Sequence, residues 1–467
     1  MKRWCSRCLR LIQNRLSLFL IRLRADKKLL GRVLVISRMP QNILVWFKND
    51  LRLCDHEPLW HAAREGNVLP IYVVDPRLFA VHELGFPRTG SFRARFLIES
   101  LRALREGLQA IGSNLAVRVG KPEEVLPALC QEHDIHQIYT SAEIADEEQR
   151  VMTRTQMAVK PLGIEVRAFE NNALYRLNDL PWPIERLPDV FTRFRNDVEK
   201  KSVVQSALPA PTALSTSFSV DWGALPTLES LGLSAPPSDD RSVITYGGGE
   251  PAAWTRVHEY IWQKDLLRTY KETRNGLIGP DYSSKFSAAL AYGCLSPRSI
   301  YEEVLRYERE RVTNDSTYWL IFELRWREYF RWAAMKYGTR IFHREGIRQQ
   351  PVEWNQNKKW FEKWRRGETG VDFVDANMRE LWHTGFMSNR GRQNVASYLT
   401  KDLKIDWRWG AAWFESQLID YDVHSNWLNW AYVAGVGNDP REDRYFNITS
   451  QEQRYDPEGR YRQLWLS

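Results

Sequence analysis

From Asn42 to about residue 170, short apolar runs alternate with stretches in which apolar residues recur every three or four positions. The runs at 43–47, 70–74, 115–119, 137–140 and 164–169 are β-branched or aromatic and only four to six residues long. They predict strands. Between them, 93–110, 122–133 and 143–160 carry the helical period and predict helices. Strand and helix in alternation predict a doubly wound, largely parallel sheet, which binds ligands at the carboxyl ends of its strands. The first strand is followed by Lys48-Asn49-Asp50-Leu51-Arg52, without a glycine. The glycine fingerprint of a nicotinamide-dinucleotide site is therefore absent.

The pattern then changes twice. Residues 200–253 are rich in Pro, Ser, Ala and Gly, include Gly247-Gly248-Gly249, and predict a long connector holding little more than a turn of helix. From Trp254 onward strand signals vanish and helical periodicity takes over, with fifteen of the twenty tryptophans in this half. Most tryptophans fill cores, but an indole can also stack on a flat ligand or lose one electron. The expected organisation is a basic extension over 1–38, an α/β domain over 42–175, a connector over 176–253 and an all-α domain over 254–467.

Charge alters this picture less than its total suggests. The formal net charge is +8, but eleven of the 66 bases, against the single acid Asp26, fall in residues 1–38. That leaves 55 bases against 57 acids, so nucleic acid would have to be met by a local patch. The extension reads as an organellar transit peptide, a basic arm or upstream sequence ahead of a start at Met39, and the strand-like run directly after Met39 favours the last. Five scattered cysteines make no disulfide framework, and Cys5-x-x-Cys8 lacks the second pair a zinc knuckle needs. A reducing compartment is expected, cytoplasmic unless residues 1–38 are a transit peptide. No apolar run approaches the ~18 residues of a membrane span.

Four polar segments stand out in the helical half. Asp281-Tyr282-Ser283-Ser284-Lys285-Phe286-Ser287 places hydroxyl, ammonium and N–H donors at a helix start, suited to a pyrophosphate or simply to capping. In Phe322-Glu323-Leu324-Arg325-Trp326-Arg327, Glu323 and Arg327 stand four apart and could form a surface ion pair. Asn389-Arg390-Gly391-Arg392-Gln393-Asn394 is too polar for a buried helix face, and its guanidinium forks suit phosphate or carboxylate. Asp420-Tyr421-Asp422-Val423-His424-Ser425-Asn426 has a D-x-D-x-H spacing that could hold a metal, but lacks further ligands.

Together with Gly293-Cys294-Leu295-Ser296-Pro297-Arg298, Val374-Asp375-Ala376-Asn377-Met378-Arg379 and Lys401-Asp402-Leu403-Lys404-Ile405-Asp406-Trp407, these segments resemble the photolyase/cryptochrome family. The likeness runs from about Asn42 to Arg462. The 389–399 run and Asn438-Asp439-Pro440-Arg441 resemble its DASH branch.

The resemblance implies a helical domain that holds FAD and no metal. Tyr270, Ser283, Ser284, Lys285, Phe286, Ser287 and Leu320 match cofactor-binding positions. Arg392 and Asp420 match an ion pair beside the flavin, Asp422 the carboxylate at its N3–H edge, and Asn426 the residue facing N5. Glu323 and Asn389 match residues that bond a pyrimidine dimer. Trp326, Arg327, Arg390, Gln393 and Tyr432 match DNA-binding positions, with Tyr432 and Gln393 standing where duplex-acting photolyases have Trp and Met. Trp430, Trp407 and Trp354 match a tryptophan relay to the flavin. Glu143 matches an acid that anchors a folate antenna, 5,10-methenyltetrahydrofolate, although a first-turn Glu is also simply favoured by the helix dipole. The family pattern also implies a C-terminal segment beyond Ser467.

The implied activity is light-driven repair of cyclobutane pyrimidine dimers in single-stranded DNA, by a monomer. The rival is a blue-light photoreceptor or transcriptional regulator that binds DNA without a major repair role. A generic electron-transfer flavoprotein would have no use for the arginine-rich rim.

Overall fold

A computed structural model describes residues 41–441 and 444–467. Five strands, β1 (Gln41–Phe47), β2 (Gly66–Val74), β3 (Ala116–Val119), β4 (Gln137–Ser141) and β5 (Glu165–Phe169), form one sheet in the order β3-β2-β1-β4-β5. The pairs β1/β4, β2/β3 and β4/β5 are parallel, with Val45 opposite Tyr139 and Val73 opposite Arg118. Side chains alternate across a strand, so β1 must satisfy two interiors. Leu44 and Trp46 join one apolar cluster, and Ile43, Val45 and Phe47 join another that continues into the helical half. The order of strands reverses between β1 and β4, which opens a crevice at their carboxyl ends. Lys48 and Glu143 emerge there.

Four helices flank the sheet: α1 (Glu57–Glu65), α2 (Ser91–Ala110), α3 (Pro122–Glu132) and α4 (Asp146–Val159). The helix expected over 143–160 starts three residues late, at Asp146, because Ala145 is extended and acts as its N-cap. Glu143 therefore lies in the loop after β4, not in a first helical turn. After α5 (Phe191–Lys201), residues 202–249 have no regular structure except the turn Glu229–Leu231. The glycine run has a steric cause, since a Cβ on Gly248 would lie 2.4 Å from the Phe96 carbonyl oxygen in α2.

The longer helices of the helical half are α6 (Glu250–His258), α7 (Pro297–Glu310), α8 (Asp315–Tyr337), α9 (Lys358–Arg366), α10 (Asp372–Thr384), α11 (Asn389–Ser397), α12 (Trp407–Gln417), α13 (Val423–Ala434), α14 (Ile448–Tyr455) and α15 (Arg460–Leu466). Asn314 caps α8 by accepting from Ser316 N and Thr317 N, with Thr317 returning the bond, and this 23-residue helix runs through the core. Trp332, Trp364, Trp407, Trp413 and Trp465 are wholly buried, so packing accounts for much of the tryptophan content. Residues 42–467 form one compact unit. Arg298 clasps Asp55 at 2.7 and 3.0 Å, and Arg52 donates to the carbonyls of Cys54, Asp55, Asn171 and Gly293, locking the sheet to the helices. Among the described residues no helix is long and apolar enough to cross a membrane.

Candidate functional site

The 283–287 loop is built around Arg256. Its guanidinium donates to the carbonyls of Pro280 (2.9 Å), Ser283 (3.3 Å) and Ser284 (3.1 Å). Lys285 sits at φ +62°, in the left-handed region, and its side chain is almost wholly buried. Its Nζ donates to Ser283 Oγ at 2.9 Å and lies 3.0 Å from the centre of the Tyr282 ring. Burial drives its pKa well below the ordinary lysine range, which nearby Glu380 partly opposes. No carboxylate pairs with it among the described residues. A buried amine without a paired carboxylate beside a cavity would hold its proton next to an anionic ligand such as a pyrophosphate. Tyr270, Leu320 and Phe286 line the same cavity, of about 300 Å³.

A second cavity of about 290 Å³ adjoins the first, the two sharing Glu323, Trp326, Asn389, Arg392 and Asp422 among their walls. Arg392 reaches both oxygens of Asp420 at 2.9 Å and is aimed by a bond from Nε to the Met387 carbonyl. Asp422 caps α13 by accepting from Ser425 N at 2.8 Å. Burial works against its charge, but His424, Arg327 and the Ser425 side chain hold its carboxyl well below the usual range. Asn426 commits its NH₂ group to the Ala411 carbonyl at 3.0 Å, so its amide oxygen is what it offers the cavity.

Glu323 is paired with Arg274, a residue 49 positions away, and not with Arg327. Burial pushes the Glu323 carboxyl up and Arg274 pulls it back. Arg327 instead donates to Asn172 O at 2.8 Å and pairs with Glu328 at 3.3 Å. The helical spacing made an i,i+4 pair plausible, but tertiary packing supplied both residues with closer partners. Trp326 has one face covered by Phe191 at 3.7 Å and 12°, while Tyr432 stands edge-on to it at 6.2 Å and 86°. Gln393 accepts from Arg390 at 2.7 Å, and Arg444 donates to the Tyr432 hydroxyl at 2.9 Å while paired with Asp439. Arg390 thus sits by α11 with Gln393 and Asn275, whereas Arg327 points to the sheet side. Among the described residues no contact brings these two arginines together.

Trp430 lies against Phe414 (5.0 Å) and Trp364 (6.0 Å) and crosses α12 at Gly410, where a Cβ would come within 2.2 Å of its ring. Trp407 on the same helix and Trp354 both donate their indole N–H to the Arg344 carbonyl, at 3.1 and 3.4 Å. Those two indoles are therefore neighbours.

A third cavity, of about 590 Å³, opens at the carboxyl ends of β1 and β4. Glu143 faces it, 3.6 Å from Lys48 Nζ. Glu148 faces it too, with a buried oxygen that has no partner, and burial pushes its carboxyl up to about 8. Sequence reading missed Arg256, Arg274, Glu148 and Arg444. Glu148 looked like one more acid in a helix's first turn, and the other three carry no local signal. Among the described residues no group of three His, Cys, Asp or Glu could hold a metal ion.

Residues 43–212 match the family described as DNA photolyase, and residues 319–467 match the FAD binding domain of DNA photolyase. The chain is similar to a protein named cryptochrome DASH from Gloeobacter violaceus, 53% identical over 91% of this chain and 85% of that one. It is 50% identical to an Arabidopsis thaliana protein named cryptochrome DASH, chloroplastic/mitochondrial, over 91% of this chain and 75% of the other. The solved structure of a Synechocystis sp. cryptochrome superposes with a TM-score of 0.89 at 50% identity, covering 92% and 89% of the two chains.

Proposed function

The chain belongs to the photolyase/cryptochrome family, in its DASH branch, with FAD as its cofactor, and we propose that it repairs pyrimidine dimers in single-stranded DNA under blue light. When bound, the reduced flavin would supply the light-driven one-electron chemistry that splits the dimer. All else is the work of side chains. The observation that carries this reading is the continuity of the two smaller cavities, one lined by the anion-binding loop and the other by Trp326, Asn389 and Tyr432.

Lys285 and the 283–287 loop hold the cofactor's phosphates, with Tyr270 and Leu320 closing that end. Arg392, Asp420, Asp422 and Asn426 would orient the flavin ring, with the Asn426 amide oxygen free to accept from it. Trp326 and Tyr432 form the aromatic walls against which the flipped dimer stacks. Glu323 and Asn389 bond its polar edges, with Arg274 keeping Glu323 in place. Arg390 and Arg444 offer guanidinium forks to the entering backbone. Arg327 serves the flavin side of the wall, where it helps keep Asp422 ionised. Trp430, Trp407 and Trp354 return electrons to the site from the surface. Glu143 anchors a folate antenna in the cavity at the carboxyl ends of β1 and β4. Residues 1–38 lie outside the described residues; we assign them the role of an organellar leader, in keeping with the name of the Arabidopsis relative.

The test is an absorption spectrum of the purified protein followed by blue-light repair assays on a dimer in single-stranded and duplex DNA. Flavin absorption with preferential single-strand repair is expected. Normal photoreduction without repair of either substrate would overturn the repair role and favour a photoreceptor.

A further inference from the structure

The tryptophan relay touches a second aromatic path that none of the roles above uses. Trp427 on α13 packs edge-on against Trp407, with ring centres 5.8 Å apart at 77°. Its indole Nε1–H donates to the Tyr421 hydroxyl at 3.2 Å, and that hydroxyl donates to Glu415 Oε2 at 3.0 Å. Indole, phenol and carboxylate form a continuous hydrogen-bonded line in the wall of the cavity at the carboxyl ends of β1 and β4, which all three residues line. Arg93 lies over the Tyr421 ring, 4.4 Å from its centre, and donates to the Glu415 backbone carbonyl at 3.0 Å. Arg88 reaches the other oxygen of Glu415 at 3.2 Å, which leaves Oε2 to the phenol.

We propose that this line is a second branch of the relay, in which Tyr421 becomes a neutral radical and Glu415 takes its proton. The inference rests on the reading of Trp430 and Trp407 as electron donors. The oxidant is the photoexcited, oxidised flavin, which removes one electron from Trp430. The hole moves to Trp407 and then to Trp427. Tyr421 gives one electron to the Trp427 radical cation and its hydroxyl proton to Glu415, leaving Trp427 restored, a neutral tyrosyl oxygen radical, and a protonated Glu415 carboxyl.

Three features of the geometry favour this end point. The carboxylate oxygen is already bonded to the phenol, so the proton crosses one hydrogen bond without rearrangement. The Arg93 guanidinium is attracted by the intact, electron-rich ring and would be repelled by a phenol radical cation, so electron loss is tied to proton loss. A neutral radical also avoids keeping an extra buried positive charge among Arg88 and Arg93. Trp354, bonded only to a backbone carbonyl through its indole N–H, has no carboxylate to receive a proton there. The Tyr421 branch is thus the one that can hold its hole without charge.

The experiment is electron paramagnetic resonance on the flavin-loaded protein, frozen during blue illumination, with ring-deuterated tyrosine in a parallel sample. A tyrosyl signal narrowed by the deuterium label is expected in the parent protein. It should be lost in Tyr421→Phe, where a tryptophan radical replaces it, and lost again in Trp427→Phe, which leaves Tyr421 and its carboxylate in place. Flavin photoreduction should persist in both variants through Trp354. A parent protein showing a tryptophan radical but no tyrosyl signal would overturn the branch while leaving the relay standing. A tyrosyl signal undiminished in Tyr421→Phe would also overturn it, and the absence of any protein radical would overturn relay and branch together.

Discussion

Substituting Tyr432→Trp together with Gln393→Met is expected to raise repair of duplex DNA by about tenfold while single-strand repair stays level. Extracting a dimer from a duplex costs a few kcal/mol that a single strand does not demand. The pocket must supply it by stacking, at ~1–3 kcal/mol per aromatic contact. Here that supply is limited. Trp326 has spent one face on Phe191, and Tyr432 meets it only edge-on. An indole at 432 and an apolar chain at 393 add on the order of 1.4 kcal/mol, or tenfold in occupancy of the pocket.

The same gain acts on both substrates, so it changes their ratio only where one is already fully seated. The assay therefore measures dimers repaired per flash at a protein concentration that saturates the single strand. The double substitution also releases Arg390 from its 2.7 Å bond and Arg444 from its 2.9 Å bond. Arg390 keeps Asn275 and Arg444 keeps Asp439 as partners, and a salt titration separates any change in phosphate contact from stacking. Unchanged duplex repair, or equal repair of both substrates by the parent protein, would refute the account of the pocket.

Asn426→Asp or Asn426→Ala is expected to change which flavin redox forms accumulate in light without unfolding the protein, and an unchanged photoreduction spectrum would remove Asn426 from the N5 edge. Glu380 is wholly buried, receives the Tyr461 hydroxyl at 2.6 Å, and is pushed by burial from 4.5 to about 7. The folded protein then binds a proton there that the unfolded chain releases, so stability falls by up to about 3 kcal/mol as pH rises from about 4.5 to 7. Glu380→Gln should flatten that part of the profile in denaturation measured from pH 5 to 8, and parallel profiles would contradict the assignment. Reconstitution with 5,10-methenyltetrahydrofolate should add near-ultraviolet absorption that Glu143→Gln abolishes and Glu148→Gln retains, since Gln imitates a Glu148 that is already neutral. No added band in the parent protein would eliminate the antenna.

The layered architecture was legible in the residue pattern, because strands and helices follow local periodicity and need only the burial of one stripe or one face. The same pattern also supplied the site segments, whose polar density conflicts with their place on core helices: the 283–287 loop, the 389–394 run and the 420–426 run. Tertiary structure alone decided the partners. Glu323 and Arg327 share a helix face, yet Glu323 turns to Arg274 and Arg327 to Glu328 and Asn172, because ion pairs form with whichever charge packing brings nearest. Glu148 looks like any first-turn acid until the fold buries one oxygen without a partner. The alignment of Trp407, Trp427, Tyr421 and Glu415 joins two helices and the loop between them. Side-chain direction and distance across elements carry no periodic trace in a sequence, so only the folded chain could show that these groups meet.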